Sequence, residues 1–247
     1  MLPDYRTTIM DGPGYWTGSL LSKDELRELR SIVLGQLLDQ IKVLAPEHLK
    51  RFRTAGLEGY HTVSHLINHA SAWPRNAREL RPDAVRYLEE SDFLASLRDA
   101  FGGGRISNEG HGLGPEVVWR IVRPHEMGDV QSLHADSWFW DINNLPYPNH
   151  CTCIKVWILL QGSPGESGLR VEPLSHRVKN WNFDVVPSHD YKKPLFDEKR
   201  AGLEPILLDT PAGHGVIFSY DLLHGGAPTR GDISRVSMEF TLIVPTA

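Results

Sequence analysis

Two histidines, one carboxylate and a late arginine carry the chemistry that this sequence can do. His134-Ala135-Asp136 sets an imidazole and a carboxylate two residues apart. On an extended strand, positions i and i+2 face the same way, so the two groups can converge on one point. His224 comes late in the chain, after a strand-like run at 216–220 and just before Gly225-Gly226. Two histidines and one carboxylate form the facial ligand set of non-haem Fe(II) sites, which keeps coordination positions open for a chelating cosubstrate and for O2. Beyond His224, Arg235 and Ser237 are again two apart in a strand-like run. A guanidinium there can grip the distal carboxylate of 2-oxoglutarate through paired hydrogen bonds, and the seryl hydroxyl can add another. The keto-acid end of the same molecule can chelate the iron. Arg230 is a rival anchor, but it sits in the turn Thr229-Arg230-Gly231-Asp232 rather than in a strand.

Other polar groups need a place around that site. Lys155 shares a strand face with Trp157 and Cys153. If that face looks inward, the lysine needs an anion, either substrate or a cosubstrate carboxylate; otherwise it is a surface lysine. His61, His65 and His69 are spaced i, i+4 and i+8, which on one helix stacks three imidazoles. Adjacent members could bind zinc, but the glutamate of a His-Glu-x-x-His hydrolase is missing. The first expectation is that these histidines line a pocket or the solvent face; if any act, contacts from His65 and His69 to a substrate are a better expectation than a second metal. Arg120, Gln131, Trp138 and Arg170 flank the site in sequence and are further candidates for substrate contacts. With Phe139, Trp140 and Asn143 they offer stacking surfaces and polar groups, which suit a polar, even anionic, small molecule better than a long acyl chain.

The elements that position these residues change character along the chain. Residues 1–104 read as mostly helical support. Ser22 followed by Glu25 is a capping-box pattern, and Leu26, Leu29, Ile32, Val33, Leu37, Leu38 and Ile41 recur on one helix face. Further helices are expected over 60–73, stopping before Pro74, and from Pro82 towards Phe101, ahead of Gly102-Gly103-Gly104. Residues 105–247 read as the β core. Strand-like runs fall at 117–122, 151–160, 169–171, 205–208, 215–220 and 233–244, with a turn cluster at 161–168. No repeat or linker divides the chain, so one domain of 1–247 is expected, an α+β but mainly β layout.

Bulk properties exclude some classes. With 247 residues and a formal net charge of −5, the chain lacks the clustered positive charge of a nucleic-acid binder. Its 12 histidines make metal chemistry worth testing. Cys151 and Cys153 are too few and too close together for a disulfide framework and are expected reduced. The N-terminal ten residues lack a signal-peptide layout, and no apolar run reaches the roughly 20 residues needed to span a membrane. A cytoplasmic location is the expectation.

The pattern His-x-Asp, distal His and following Arg resembles the phytanoyl-CoA dioxygenase-like branch of the Fe(II)/2-oxoglutarate oxygenases. The resemblance runs from about Trp119 to Val244. It includes Trp157, similar to a tryptophan that the family places near the cosubstrate. It also includes the segment Gly168 to His176, which looks like one ending in Pro-Gly-Ser-His, with Leu174 in place of the glycine. The resemblance implies a double-stranded β-helix, or jelly roll, with helices buttressing it. By the same resemblance His134, Asp136 and His224 are metal ligands, and Arg235 and Trp157 bind the cosubstrate; Ser237 and Lys155 join them as cosubstrate candidates from their strand positions alone. The expected cofactors are Fe(II), 2-oxoglutarate and O2, with ascorbate as an iron reductant. Halogenases of this kind lack the carboxylate that Asp136 supplies, so hydroxylation of an unactivated C–H is the implied outcome. The preferred substrate is an acidic sugar of a bacterial surface glycan, such as a Kdo-type sugar, with peripheral membrane contact if it belongs to a glycolipid. Tailoring of a secondary metabolite and ligand binding by a non-catalytic jelly roll are the competing readings.

Overall fold

The computed structural model describes residues 4–108, 114–145, 149–163, 165–188 and 191–246. Pro164 of the expected turn cluster and residues 1–3 of the N-terminal segment lie outside the described residues.

Before the β core, the chain forms helices α1 (Tyr5–Met10), α2 (Lys23–Leu44), α3 (Leu49–Ala55), α4 (Tyr60–Val63), α5 (His69–Ala72), α6 (Arg75–Arg78), α7 (Pro82–Glu89) and α8 (Asp92–Phe101). The capping box is present: Ser22 Oγ accepts from Glu25 N at 3.2 Å, and Glu25 Oε2 accepts from Ser22 N at 2.7 Å. Leu29, Val33, Leu37 and Ile41 are the buried stripe of α2. The C-terminal stop of α8 uses Gly102 in the left-handed conformation, φ 72°.

The second expected helix breaks into pieces. Between α4 and α5 the chain passes through a 3-10 turn, Ser64–Leu66, and Ile67 is extended. Asn68 then restarts the helix, its side chain accepting from Ser71 N. His61, His65 and His69 therefore do not share one helix face, and His65 is exposed. Among the described residues the three make no cluster able to hold a metal.

The strands are β1 (Tyr15–Ser19), β2 (Arg105–Ile106), β3 (Val118–Val122), β4 (Cys151–Gln161), β5 (Gly168–Val171), β6 (Asp184–Ser188), β7 (Tyr191–Leu195), β8 (Ile206–Asp209), β9 (His214–Ser219), β10 (His224–Gly226) and β11 (Arg235–Pro245). The larger sheet runs β1-β9-β4-β11-β2, with β3 also paired to β11; the smaller runs β10-β5-β8. Each of the described pairings between these strands is antiparallel. β1 was not expected from the sequence, where the first third reads as helix, yet it edges the larger sheet against β9. A separate β6–β7 hairpin was also not expected.

Alternation along β4 and β11 divides the interior in two. Ile154, Val156, Ile158 and Leu160, with Val236, Met238, Phe240 and Leu242, pack against α2 and the other helices. The opposite face turns Trp157 and Leu159 towards Leu169, Val171 and Leu208 of the smaller sheet. The two sheets thus enclose an inner layer in jelly-roll fashion, while the helices cover the outer face of the larger sheet. Cys153 is buried and Cys151 half-buried.

Candidate metal centre and cosubstrate site

His134 and His224 meet as a directly opposed antiparallel pair. Each backbone N–H donates to the other's carbonyl at 2.9 Å, which sets their rings 4.6 Å apart. Asp136 reaches the same point by a different route from the one expected. It is not a strand residue: the chain leaves His134, passes through extended Ala135 and enters helix α9 (Asp136–Ile142), of which Asp136 is the first residue. The turn into the helix still brings the carboxylate beside both imidazoles. Asp136 Oδ1 lies 3.9 Å from His134 Nε2, and Oδ2 lies 3.6 Å from His224 Nε2.

The hydrogen bonds on the far side of each ring fix the tautomer that the neutral ring takes. His134 Nδ1 lies 2.9 Å from Ser132 O, and His224 Nδ1 lies 3.0 Å from Leu222 O. A carbonyl only accepts, so each Nδ1 carries the proton and each Nε2 presents a lone pair inward. Burial lowers the His224 pKa to about 4, so the ring is neutral at physiological pH. Burial pushes the Asp136 carboxyl up, but Lys155, His224 and His134 outweigh it and hold the group below the usual range, ionised. Lys155 Nζ lies 3.7 Å from Asp136 Oδ2 and donates to Thr241 Oγ1 at 3.2 Å. Asp136 Oδ2 is buried with no hydrogen-bond donor. Two imidazole nitrogens and a carboxylate, with ligating atoms within 4.8 Å of one another, suit a divalent metal.

The cluster opens into a cavity of about 60 Å³ that Arg235, Trp157, Arg120, Gln131 and Glu239 also line. Arg235 is 2% exposed. Its Nη1 donates to Gly168 O at 2.6 Å and Ala227 O at 3.0 Å, while its buried Nε has no acceptor. The guanidinium carbon stands 6.0 Å from the centre of the Trp157 ring. Burial and the nearby Arg120 charge lower the Arg235 pKa to about 10. Among the described residues this cation has two carbonyls for partners and no anion. Gly226 makes room for it, because a Cβ there would come within 3.0 Å of Arg235 Nη2. Ser237 is buried. By strand alternation it faces the same way as Arg235 and Glu239. Arg230 is exposed.

The remaining candidates divide. Arg120 and Gln131 face the cavity. His69 borders a neighbouring cavity instead. Trp138 turns away from the His-Asp-His cluster, stacked on Phe183 at 4.2 Å and packed near Phe196 at 5.4 Å, because its position in α9 faces an apolar cluster with Leu133 and Leu223. Arg170 points to the opposite side of β5 from Leu169 and Val171, and pairs with Glu198 at 3.2 Å. His65, Trp138 and Arg170 thus do not line the cavity expected of them. Sequence reasoning missed Glu239, Asp129 and Arg78. Glu239 was legible, since it continues the alternation from Arg235 through Ser237 on one strand face. Leu174, in the place of a glycine, keeps the left-handed backbone, φ 66°. The turn is preserved, and Ser175 Oγ accepts from Leu223 N at 2.8 Å, steadying the approach to His224.

The sequence profile of the phytanoyl-CoA dioxygenase family matches residues 36–237. The chain belongs to that family. It is a non-haem Fe/2-oxoglutarate-dependent oxygenase. Among solved structures it is similar to apo EctD from S. alaskensis (TM-score 0.61, 17% identity, covering 97% of this chain and 76% of that one). It is also similar to SnoK, a non-haem α-ketoglutarate-dependent carbocyclase from nogalamycin biosynthesis (TM-score 0.58, 14% identity, 96% and 82% covered). AviO1 from Streptomyces viridochromogenes is a third (TM-score 0.53, 16% identity, 100% and 97% covered). At these identities the likeness carries the fold. No curated protein sequence matches the chain. Among the described residues, no helix of this oxygenase is long and apolar enough to cross a membrane.

Proposed function

We propose that His134, Asp136 and His224 bind Fe(II), that Arg235 anchors 2-oxoglutarate, and that the enzyme hydroxylates a C–H of a small polar substrate. The observation that carries this reading is the buried, carbonyl-bonded Arg235 with its vacant Nε, in the same cavity as three convergent ligating atoms. A diacid cosubstrate answers both, with one carboxylate on the guanidinium and the keto acid at the metal. Bound iron would supply the redox chemistry that couples O2 and 2-oxoglutarate to substrate oxidation, with succinate and CO2 as coproducts.

The protein's own groups prepare that chemistry. Ser132 O and Leu222 O hold the two imidazoles in the ligating tautomer, and Lys155 helps to keep Asp136 ionised. Trp157 gives the guanidinium a π surface. Asp136 at the carboxylate position supports hydroxylation over halogenation. We treat residues 1–247 as one unit, because the helices pack directly on the strands that carry Arg235 and Lys155.

For the substrate, Arg120 and Gln131 at the cavity wall support a polar molecule. An acidic sugar of the Kdo type is one candidate and rests on those side chains alone. Secondary-metabolite tailoring gains support from SnoK, which is named for nogalamycin biosynthesis. A glycolipid-borne sugar would bring the enzyme to a membrane surface from the cytoplasm.

The test is succinate release from labelled 2-oxoglutarate with Fe(II), O2 and ascorbate, which keeps iron reduced. Slow iron-dependent succinate formation without substrate is expected in the wild type, and its loss in Asp136→Ala. Undiminished succinate from that variant would end the assignment.

A further inference from the structure

A second cavity, about 240 Å³, adjoins the metal-facing one, and the two share Arg120 and Asp129 as wall residues. His69, Trp73, Arg78 and Ile121 complete most of its lining. Its charges can be paired off. Asp129 accepts from the backbone, Nε and Nη2 of Arg123 at 2.8–2.9 Å. Arg120 donates through Nε and Nη2 to Glu239 Oε1 at 2.9 and 2.7 Å. His69 is set as a neutral ring. The Trp73 indole N–H donates to Tyr60 Oη at 2.7 Å, so the Tyr60 hydroxyl gives its own proton to His69 Nδ1 at 2.8 Å. His69 Nε2 then carries the hydrogen and points at Asp129 from 3.5 Å.

Arg78 is left over. Its Nε donates to Trp73 O at 2.9 Å and its Nη1 to Trp119 O at 3.3 Å. Among the described residues no carboxylate lies within ion-pair distance of it. Burial and the neighbouring Arg120 charge lower its pKa to about 10. A partly buried guanidinium whose acceptors are carbonyls, facing a cavity next to a second arginine, fits a planar or tetrahedral oxyanion. Trp73 and Ile121 give the rest of the cavity an apolar surface suited to a carbon skeleton.

We propose that the substrate carries an anionic oxygen group, a carboxylate or a phosphate, held by Arg78 with Arg120 in this second cavity, its carbons extending past Arg120 and Asp129 towards the His-Asp-His cluster. The proposal rests on the oxygenase reading for its orientation, and names the substrate class of that site. It also explains why Arg120 is tied to Glu239: the pair holds the arginine in place between the two cavities.

Calorimetric titration of the protein under argon, loaded with Fe(II) and 2-oxoglutarate, tests it with three probes built on one hexose ring: glucuronate, glucose 6-phosphate and glucose. One charged probe should bind at least tenfold more tightly than glucose, and which one does so separates carboxylate from phosphate. Arg78→Gln should erase that preference while 2-oxoglutarate binding persists, and Arg78→Lys should recover part of it. Equal binding of glucose, charged-probe binding that survives Arg78→Gln, or no binding of either charged probe to protein that does take up 2-oxoglutarate would each overturn the proposal. Should Arg78→Gln fold poorly, the wild-type preference for charge still decides. Failure to take up 2-oxoglutarate counts against the oxygenase reading instead, and Arg78-dependent binding of a charged probe to the metal-free protein would still support the anion site.

Discussion

Arg235→Leu separates the proposed cosubstrate anchor from every other part of the site. The wild-type guanidinium is 2% exposed, so a carboxylate paired with it is desolvated. Exposed ion pairs contribute about 1 kcal/mol at most, whereas truncating one partner of a buried, hydrogen-bonded charge pair costs about 2–5 kcal/mol. The lower bound alone weakens 2-oxoglutarate binding by roughly 30-fold. Ligand at a hundred times its Kd stabilises a protein by about 2.7 kcal/mol, and at a 30-fold weaker Kd the same concentration gives about 0.9 kcal/mol. For a chain of this size each kcal/mol is roughly 2–4 °C of Tm. The rise in Tm caused by 2-oxoglutarate should therefore fall from roughly 5–11 °C to roughly 2–4 °C. The assay is thermal unfolding of zinc-loaded protein with and without 2-oxoglutarate. Because the ligand-induced difference is read, any change in the free protein cancels, including the loss of donors to Gly168 O and Ala227 O. An undiminished rise in the variant would refute the anchor and move attention to Lys155 or Arg230.

Two further outcomes follow from the packing and charge around the cavity. Burial pushes the Glu239 carboxyl up, but Arg120 and Lys155 outweigh it and hold the group well below the usual carboxylate range. A depressed folded-state pKa contributes stability that is complete above the unfolded value of 4.5 and is lost as pH falls through the folded one. Glu239→Gln should accordingly flatten the acid limb of the stability curve below pH 4.5, measured by urea unfolding, and an unchanged limb would contradict the Arg120 pairing. Trp138→Ala should destabilise by about 3–5 kcal/mol, because it empties the stack on Phe183 and Phe196. The rise in Tm with 2-oxoglutarate should persist in that variant; its loss would return Trp138 to the site.

The parts of this architecture legible in the sequence are those fixed by period and by chemical scarcity. The alternating strands β4 and β11 were readable because one residue in two had to face an apolar layer, and Arg235 stood out because a charge interrupted that layer. The same alternation reaches Glu239, which was overlooked only because no ligand was sought for it. Asp136 was placed correctly beside His134 although the local structure is a helix start rather than a strand; two residues of separation bring the groups together by either route. The histidine series at 61, 65 and 69 misled because spacing alone cannot show that Ile67 turns extended and Asn68 caps a new helix. That Trp138 faces the apolar cluster was not legible, because nearness in sequence to Asp136 says nothing about which side of a short helix a residue takes. Arg78 sits in a four-residue helix far along the chain from the metal cluster, and only the packing of Trp73 and Trp119 brings it to the cavity.

An anaerobic titration of the metal-free protein with Fe(II), then with 2-oxoglutarate, tests the central claim most directly, since it needs no knowledge of the substrate. The account predicts a weak visible charge-transfer band that saturates near one equivalent of each and disappears when His134 or His224 is replaced. Folded, iron-loaded protein that shows no band with 2-oxoglutarate, or a band that survives both replacements, would contradict it.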